Sequence, residues 1–378
     1  MRKLFVAIAL ATIPSLGEAQ GALSLQGLGY PTGGMSARAE GTGTGVADFD
    51  PISLTTPASL AGVGSAALFF QYSPEFRSVT AGSGSAKTTT ARFPLVVGVL
   101  PMGQQWTLGL SSSTFLDRSS ETRLVRRQPV GDLITDTVDV TEHNKVLGAI
   151  NDVRLALSWA GSPKFRIGFG GHAFVGSNRI SFSQLFPDST KYISTSQTGR
   201  ISFAGFAASA GIEFHPSRAI GFALAARKGG DLRAQEGDTT IGTARLPDHY
   251  SGSVIFEGIP GVAISARAAH DAWSSLSSLS SSNTKAYDGW DTGVGVEAAG
   301  PRVLSRLITL RAGARFRTLP FGFNGEKVSE TSFAAGLGAP LTRDRASFDF
   351  AIQHANRTAG SGVKERGVIL SFGLRVSP

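Results

Sequence analysis

The sequence predicts an all-β protein, a transmembrane antiparallel β-barrel of about fourteen strands with an N-terminal plug in its lumen. Three observations predict it. Strand-length stretches of alternating apolar and polar residues recur along the chain. The connections between them alternate long and short. Beyond the N-terminus, no stretch approaches the roughly eighteen apolar residues of a membrane helix, so a spanning structure must be built from strands. A closed barrel satisfies every backbone hydrogen bond in lipid, and a period of 2 presents one set of side chains to lipid and the other to the lumen.

Residues 1–19 read as a secretory signal. Arg2 and Lys3 supply the charge, Leu4 to Ile13 form an apolar core too short to span a bilayer, and Gly17-Glu18-Ala19 supplies small residues for cleavage before Gln20. Residues 20–62 are rich in Gly, Ala, Ser and Thr, with turn signals at Pro31, Pro51 and Pro57. Leu23, Leu25, Leu28, Val46, Phe49, Ile52, Leu54 and Leu60 are too many apolar side chains for a solvated linker, so this stretch is expected to fold inside the barrel as a plug. Residues 63–378 then form the barrel.

Its strands are expected at 65–73, 86–99, 104–115, 148–160, 163–175, 199–214, 218–228, 248–257, 260–271, 287–299, 306–317, 328–339, 345–357 and 366–376. In the last, Val368, Leu370, Phe372, Leu374 and Val376 oppose Ser371, Gly373 and Arg375. In 165–175, Phe165, Ile167, Phe169, Ala173 and Val175 oppose Arg166, Gly168, Gly170 and His172. The first long connections are 74–85, 116–147 and 176–198, and the short ones are 100–103, 161–162 and 215–217. Barrels of this kind have short periplasmic turns and long outer loops, and an even strand number leaves both termini periplasmic. Trp106 and Trp159 are expected at the periplasmic interface, Trp273 and Trp290 at the outer one, because an indole pairs an apolar ring with an N–H that needs a partner.

Composition narrows the function. The absence of cysteine excludes a lipoprotein anchor, disulfides and thiolate metal or redox chemistry. Lys and Arg number 36 against 28 Asp and Glu, but the excess is dispersed. With a secretory signal it speaks for a solvated lumen and loops beside outer-membrane lipid and lipopolysaccharide, not for nucleic acid. Glycine, 47 of 378 residues, falls inside the strands, where lumen-facing positions would let them bend and make room for a plug.

Catalytic and cofactor chemistry finds no motif, so no enzyme, cofactor or metal site is expected. None of His143, His172, His215, His249, His270 and His354 has metal-ligand spacing. No Gly-x-Ser-x-Gly elbow lies between a strand and a helix. A hydrolytic barrel would need Ser, His and a carboxylate or carboxamide on adjacent strands; a lumen or wall His such as His172 or His354 is the residue to watch. Gly41-x-Gly43-x-Gly45 lacks the flanking strand and helix of a phosphate cradle and belongs to the plug. Arg311, Arg315 and Arg317 oppose Ile308, Leu310, Ala312, Ala314 and Phe316 and so point into the lumen. There they form either an ion-pair ladder with groups such as Asp152, Glu297 and Asp349 or a bidentate site for a ligand carboxylate.

Three segments resemble the long-chain fatty-acid transporters of the Gram-negative outer membrane, the FadL-like family with its PorV-type relatives. GLGYPTGGMSARAEGTGTGVADFDPISLTTPASLAG, residues 27–62, resembles the family's N-terminal hatch and its Asn-Pro-Ala motif, here Thr56-Pro57-Ala58 with Leu60 behind. LPDHYSGSVIFEGIPGVAISARAAHDAWSSL, residues 246–276, resembles a Leu-Pro-led strand and a hairpin ending in Trp-Ser. Residues 310–357 resemble the last barrel hairpins. Two departures stand out: Thr56 replaces the family's Asn, and Pro378 ends the chain where many such barrels end in Phe.

The resemblance implies passive uptake of a hydrophobic or amphipathic small molecule by a monomeric barrel. The ligand would bind near the hatch and leave sideways into the bilayer through a kink in the third strand. The residues expected to bind or gate are Phe49, Thr56, Pro57 and Ala58 of the hatch, Gly109 and Ser111 of the third strand, and Arg311 and Arg315 of the lumen. The alternative is a non-transport barrel acting as a secretion accessory or structural partner. A continuous apolar tunnel favours transport; a lumen sealed by charged ladders favours the alternative.

Overall fold

Side-chain parity sorts this chain into two surfaces. Phe70, Tyr72 and Phe76 are exposed, while Gln71, Ser73, Glu75 and Arg77 between them are buried. The same inversion recurs around the wall: Leu310 and Phe316 face out where Arg311, Arg315 and Arg317 face in. A polar interior behind an apolar exterior is what a barrel in lipid requires.

The computed structural model describes residues 29–81, 84–129, 137–188, 190–279, 286–303, 306–323, 325–342, 345–360 and 363–378. The expected secretory signal, residues 1–19, and Leu23, Leu25 and Leu28 lie outside the described residues. In chain order the elements are β1 (Tyr30–Pro31), helix α1 (Ala37–Gly41), 3-10 turns at Ala47–Phe49 and Ala58–Gly62, β2 (Ala67–Ala81), β3 (Gly84–Met102), β4 (Trp106–Asp117) and β5 (Ser120–Pro129). Next come β6 (Thr137–Ser162), β7 (Phe165–Leu185), β8 (Thr195–Phe214), β9 (Ile220–Glu236), β10 (Thr239–Arg245), β11 (His249–Ile259), β12 (Val262–Asp271) and a 3-10 turn at Trp273–Leu279. The chain ends with β13 (Gly289–Val303), β14 (Arg306–Phe323), β15 (Glu326–Thr342), β16 (Ala346–Ala359) and β17 (Val363–Val376).

Fourteen of these strands close a barrel in the order β2, β3, β4, β6 to β9 and β11 to β17, and β17 returns to β2 from Val363↔Ala81 to Val376↔Leu68. β5 and β10 are hairpin arms on the edges of β6 and β9. All fourteen expected strands are present, but at the long-loop end they run further than expected. Residues 74–81 and 84–85, expected as loop, are strand, and most of 116–147 is the β5–β6 hairpin. Lipid imposes strict alternation over only about ten residues per strand, so the 26 residues of β6 continue beyond the part that the pattern marks.

Trp106 and Trp159 lie together at the short-turn end, ring centres 6.3 Å apart and tilted by 39°, and Trp290 is 57% exposed. Trp273 departs from expectation. The 3-10 turn after β12 folds inward, and the ring is buried against Phe115 (5.2 Å) rather than set at an interface.

The core lies in the lumen, where apolar clusters stand beside a buried ionic one. Arg357 is fully buried between Glu330 (2.6 Å), Glu75 (2.8 Å) and Glu365. Removing it would leave those carboxylates buried and uncompensated, at a cost of about 3–5 kcal/mol. Arg357→Ala is therefore expected to lower the urea midpoint of the detergent-folded barrel strongly; an unchanged midpoint would contradict this ionic core.

Candidate functional site

The lumen is occupied from below by the N-terminal segment. Ser36 caps α1 by accepting the Ala39 N–H at 3.0 Å, which fixes the start of a helix too short to persist unaided. Arg38 leaves the helix toward Glu297 of β13, with Nε 3.0 Å from the carboxylate. Asp48 accepts from Arg267 of β12 at 3.2 Å and from Ser253 of β11.

The glycine run Gly41-x-Gly43-x-Gly45, expected to belong to the plug, serves packing. Gly43, at φ +58°, passes so close to β14 that a Cβ would lie 2.5 Å from the Ala314 nitrogen. Across from it, a Cβ on Gly293 or Gly295 would meet the Gly43 or Thr42 carbonyl at 2.0 or 2.1 Å. Only glycine on both sides permits this contact.

Thr56-Pro57-Ala58 lies on β6 to β8, not on the third barrel strand. A Cβ on Gly168 would meet the Pro57 carbonyl carbon at 2.4 Å, and one on Gly211 the Thr56 hydroxyl at 2.1 Å. Ser158 Oγ donates to the Ala58 carbonyl at 2.9 Å. Backbone at such close range needs a bare wall, and those glycines provide it. Leu60 is the residue that meets the third strand, packed over Gly109. Phe49 packs edge-on to His215, 6.0 Å away.

Gly109 and Ser111 stand in regular pairing with Val99 and Val97, so no kink forms there. The irregularity lies one turn of pleat further on. β3 and β4 pair from Met102↔Trp106 to Leu95↔Ser113 and then part. β4 goes on to pair with β1, Pro31↔Leu116 and Tyr30↔Asp117, while β3 goes on along β2. Phe115 turns inward at the β4 bulge. Arg92 of β3 spans the break, with Nε 2.7 Å from Asp117, and Phe93 beside it is 75% exposed.

Behind this break is a cavity of about 90 Å³. Ser113, Thr114 and Phe115 line it on the side of the break, Gly33, Met35 and Leu54 below. Its roof is apolar: Phe115 and Trp273 line it and belong to one buried cluster with Phe174, Leu246 and Leu276. Its wall is charged. Arg315 holds Asp291 with two hydrogen bonds (2.7 and 2.6 Å), His249 pairs with Asp271 (2.8 Å), and His172 stands between Asp152 and Ser209.

Arg311 is not at this cavity. It lines a separate open space of about 610 Å³ at the short-turn end and is held by Glu297 (2.7 Å) and Asp349 (2.6 Å). Both arginines named from the sequence are thus members of the ladder. Arg227 is the cavity-lining cation whose buried Nε lacks a hydrogen-bond partner. Parity alone placed His172 inward; its partners, like those of Arg227, lie on other strands, out of reach of any local pattern. Tyr30, Arg92 and Asp117, which close the break, carried no motif.

A fourteen-stranded closed wall with an N-terminal segment folded into its lumen defines the class: a plugged membrane β-barrel of the FadL-like fold. The chain is similar to the crystal structure of a Pseudomonas aeruginosa FadL homologue, at 14% identity and a TM-score of 0.65, over 92% of this chain and 99% of that one. It is similar also to the Ralstonia pickettii toluene transporter TbuX (14%, TM-score 0.58, 91% and 98%) and to the CymD monoaromatic hydrocarbon channel (12%, 0.57, 91% and 98%). No protein-family pattern and no curated protein sequence matches the chain.

Glu40, at the end of α1, gives the segment a pH dependence. Burial raises its carboxyl from 4.5 to about 7, against the opposing pull of Ser371, Arg315, Arg317 and Arg92. The raised value means that the folded segment binds the proton more tightly than the unfolded chain. Its contribution to stability is full below about 4.5 and is lost as pH rises through about 7. Protease cleavage of the N-terminal segment should therefore quicken between those values, and Glu40→Gln should flatten the dependence. A parent profile flat across that range would refute it.

Proposed function

We infer that this protein carries hydrophobic or amphipathic small molecules passively across the bacterial outer membrane. Residues 20–62 are its hatch, its termini lie in the periplasm, and the barrel acts as a monomer amid lipopolysaccharide. The observation that carries the reading is the break between β3 and β4 beyond Leu95↔Ser113, directly beside a cavity with an aromatic roof. A ligand held there stands next to the place where β4 exchanges β3 for the short plug strand β1. Sideways exit into lipid spares an apolar molecule a second passage through water, worth about 25 cal/mol per Å² of apolar surface. The similar structures named as transporters or channels for toluene and monoaromatic hydrocarbons support the same reading.

In this mechanism Arg92 and Asp117 latch the side opening, and Tyr30 is wedged behind them. The hatch remains docked through Arg38–Glu297 and Asp48–Arg267 while the latch releases. Thr56-Pro57-Ala58 anchors the hatch to β6–β8 and does not itself gate.

A second reading has its own observation. The ion cluster of Arg357, Glu75 and Glu330 seals the lumen with charge, which suits a barrel that serves as a secretion accessory or structural partner. Uptake separates the two. Cells carrying the parent should accumulate a labelled long-chain acid or toluene severalfold over an empty-vector control. Arg92→Ala, which releases Asp117, should raise uptake further. Gly109→Phe, which displaces Leu60, should change it because the hatch shifts. Equal uptake by folded parent, both variants and the empty vector would remove transport and leave the structural-partner reading.

A further inference from the structure

Transport does not call for one arrangement on the cavity wall. Asp152, His172 and Ser209 project inward from β6, β7 and β8, three consecutive strands. His172 Nδ1 lies 2.9 and 3.0 Å from the two oxygens of Asp152, and its Nε2 lies 2.8 Å from Ser209 Oγ. Both separations fall in the range in which a general base takes up a hydroxyl proton while a third group orients it. Asp152 and His172 are buried, whereas Ser209 is only partly covered and lines the cavity.

Two neighbours complete the geometry. Gly170 leaves room for the hydroxyl: a Cβ there would stand 2.6 Å from Ser209 Oγ and 3.5 Å from His172 Nε2. Arg227 is the cross-strand partner of Ser209. Its guanidinium lies over Phe115 and Phe174, one nitrogen is 3.9 Å from Asp152, and its buried Nε has no hydrogen-bond partner. An unpaired buried donor beside a nucleophile is suited to an oxygen that becomes anionic during reaction.

We propose that Ser209, His172 and Asp152 form a hydrolytic centre in the barrel lumen that cleaves short-chain carboxylic esters. Ser209 Oγ adds to the ester carbonyl carbon as its proton passes to His172 Nε2. Asp152 holds the imidazole in the tautomer that leaves Nε2 free to accept. The carbonyl oxygen, now an oxyanion, faces the Arg227 Nε–H. Collapse breaks the bond to the alkoxy oxygen, which leaves as an alcohol with the proton from His172. Water then adds to the acyl-serine and gives a proton to His172. The bond to Oγ breaks, Ser209 regains its proton, and the carboxylic acid departs. The balance is ester plus water to acid plus alcohol.

The cavity sets the substrate class. About 90 Å³ is the share of roughly three water molecules, room for an acetyl-sized acyl group while the latch is shut; a long chain needs the side opening as well. Phe115 and Trp273 offer it an apolar neighbourhood, so a neutral ester fits better than a charged one.

The test uses the full-length protein folded in detergent. The parent is treated with a fluorophosphonate probe, and the modified peptide is identified by mass. It is also assayed with p-nitrophenyl acetate and p-nitrophenyl palmitate. The expected result is a single adduct on Ser209 and hydrolysis of the acetate in preference to the palmitate. Ser209→Ala and His172→Gln should each lower that hydrolysis by about a hundredfold or more. Asp152→Asn should lower it too and displace the pH profile, which loss of a merely structural bond would not do. Folding of each variant is checked by strand content and by the heat-induced shift in gel mobility. Adduct formation on the parent does not depend on any variant folding. A folded parent that takes no adduct at Ser209, or acetate hydrolysis unchanged in Ser209→Ala, would overturn the proposal and leave a hydrogen-bond network alone.

Discussion

Six adjacent strands converge on one buried ring. Arg317 of β14, Glu330 of β15, Arg357 of β16, Glu365 of β17, Glu75 and Arg77 of β2 and Arg92 of β3 form a continuous ionic cluster across the seam where the barrel closes. With Asp117 of β4, four guanidiniums meet four carboxylates. The Tyr30 ring lies beneath all four guanidiniums, 4.8 to 5.4 Å from their centres, and its hydroxyl bonds Glu330 at 3.1 Å. Burying so much charge is unfavourable unless every member is matched. Matching it requires these strands in this register with Tyr30 in place. Closure of the wall and seating of the N-terminal segment are therefore one event, not two.

That coupling accounts for the break in the wall. β1 can pair with Leu116 and Asp117 only if β4 turns from β3 after Ser113. Tyr30 in turn can lie under Arg92 and Arg357 only if β1 sits there. β4 thus trades a barrel neighbour for a two-residue strand of the plug, and its backbone groups stay partnered. In lipid an unpartnered pair of edges would be costly, and this exchange limits the exposure.

Lipid explains which features were legible in the sequence. Alternation such as Val368, Leu370, Phe372, Leu374 against Ser371, Gly373, Arg375 is imposed wherever a strand has one wet and one greasy side, so strand number and parity could be read directly. The arms beyond the bilayer carry no such demand, and β5 and β10 went unread. Glycines 41, 43 and 45 could be assigned to the plug, but not matched to the wall glycines 293, 295 and 313 that they meet. Arg311 and Arg315 could be aimed inward, with Glu297 and Asp349 named as ladder partners, but which arginine meets which carboxylate, and that Asp291 takes Arg315, is fixed only by strand register. The same holds for Asp152, His172 and Ser209, far apart in sequence and joined only by the order of β6, β7 and β8.

The lumen offers a bound molecule two directions, and the interactions in each decide between them. Downward, toward the open space at the short-turn end, the way is closed by Arg38 on Glu297, Asp48 on Arg267 and the glycine contacts at Gly43. At Gly43 no side chain can swing aside, because the obstruction there is backbone. Sideways, past Thr114 and Phe115, the obstruction is the Arg92–Asp117 pair and the Tyr30 ring. Arg92 also has Glu75 as a partner, so release of Asp117 leaves its charge compensated. Moving the plug would strand several buried charges at once; opening the latch strands at most one, at the rim of the wall. On the proposed route, the sideways direction therefore requires the smaller rearrangement: of the seam's pairs it opens Arg92–Asp117 and keeps Arg357 on Glu75 and Glu330.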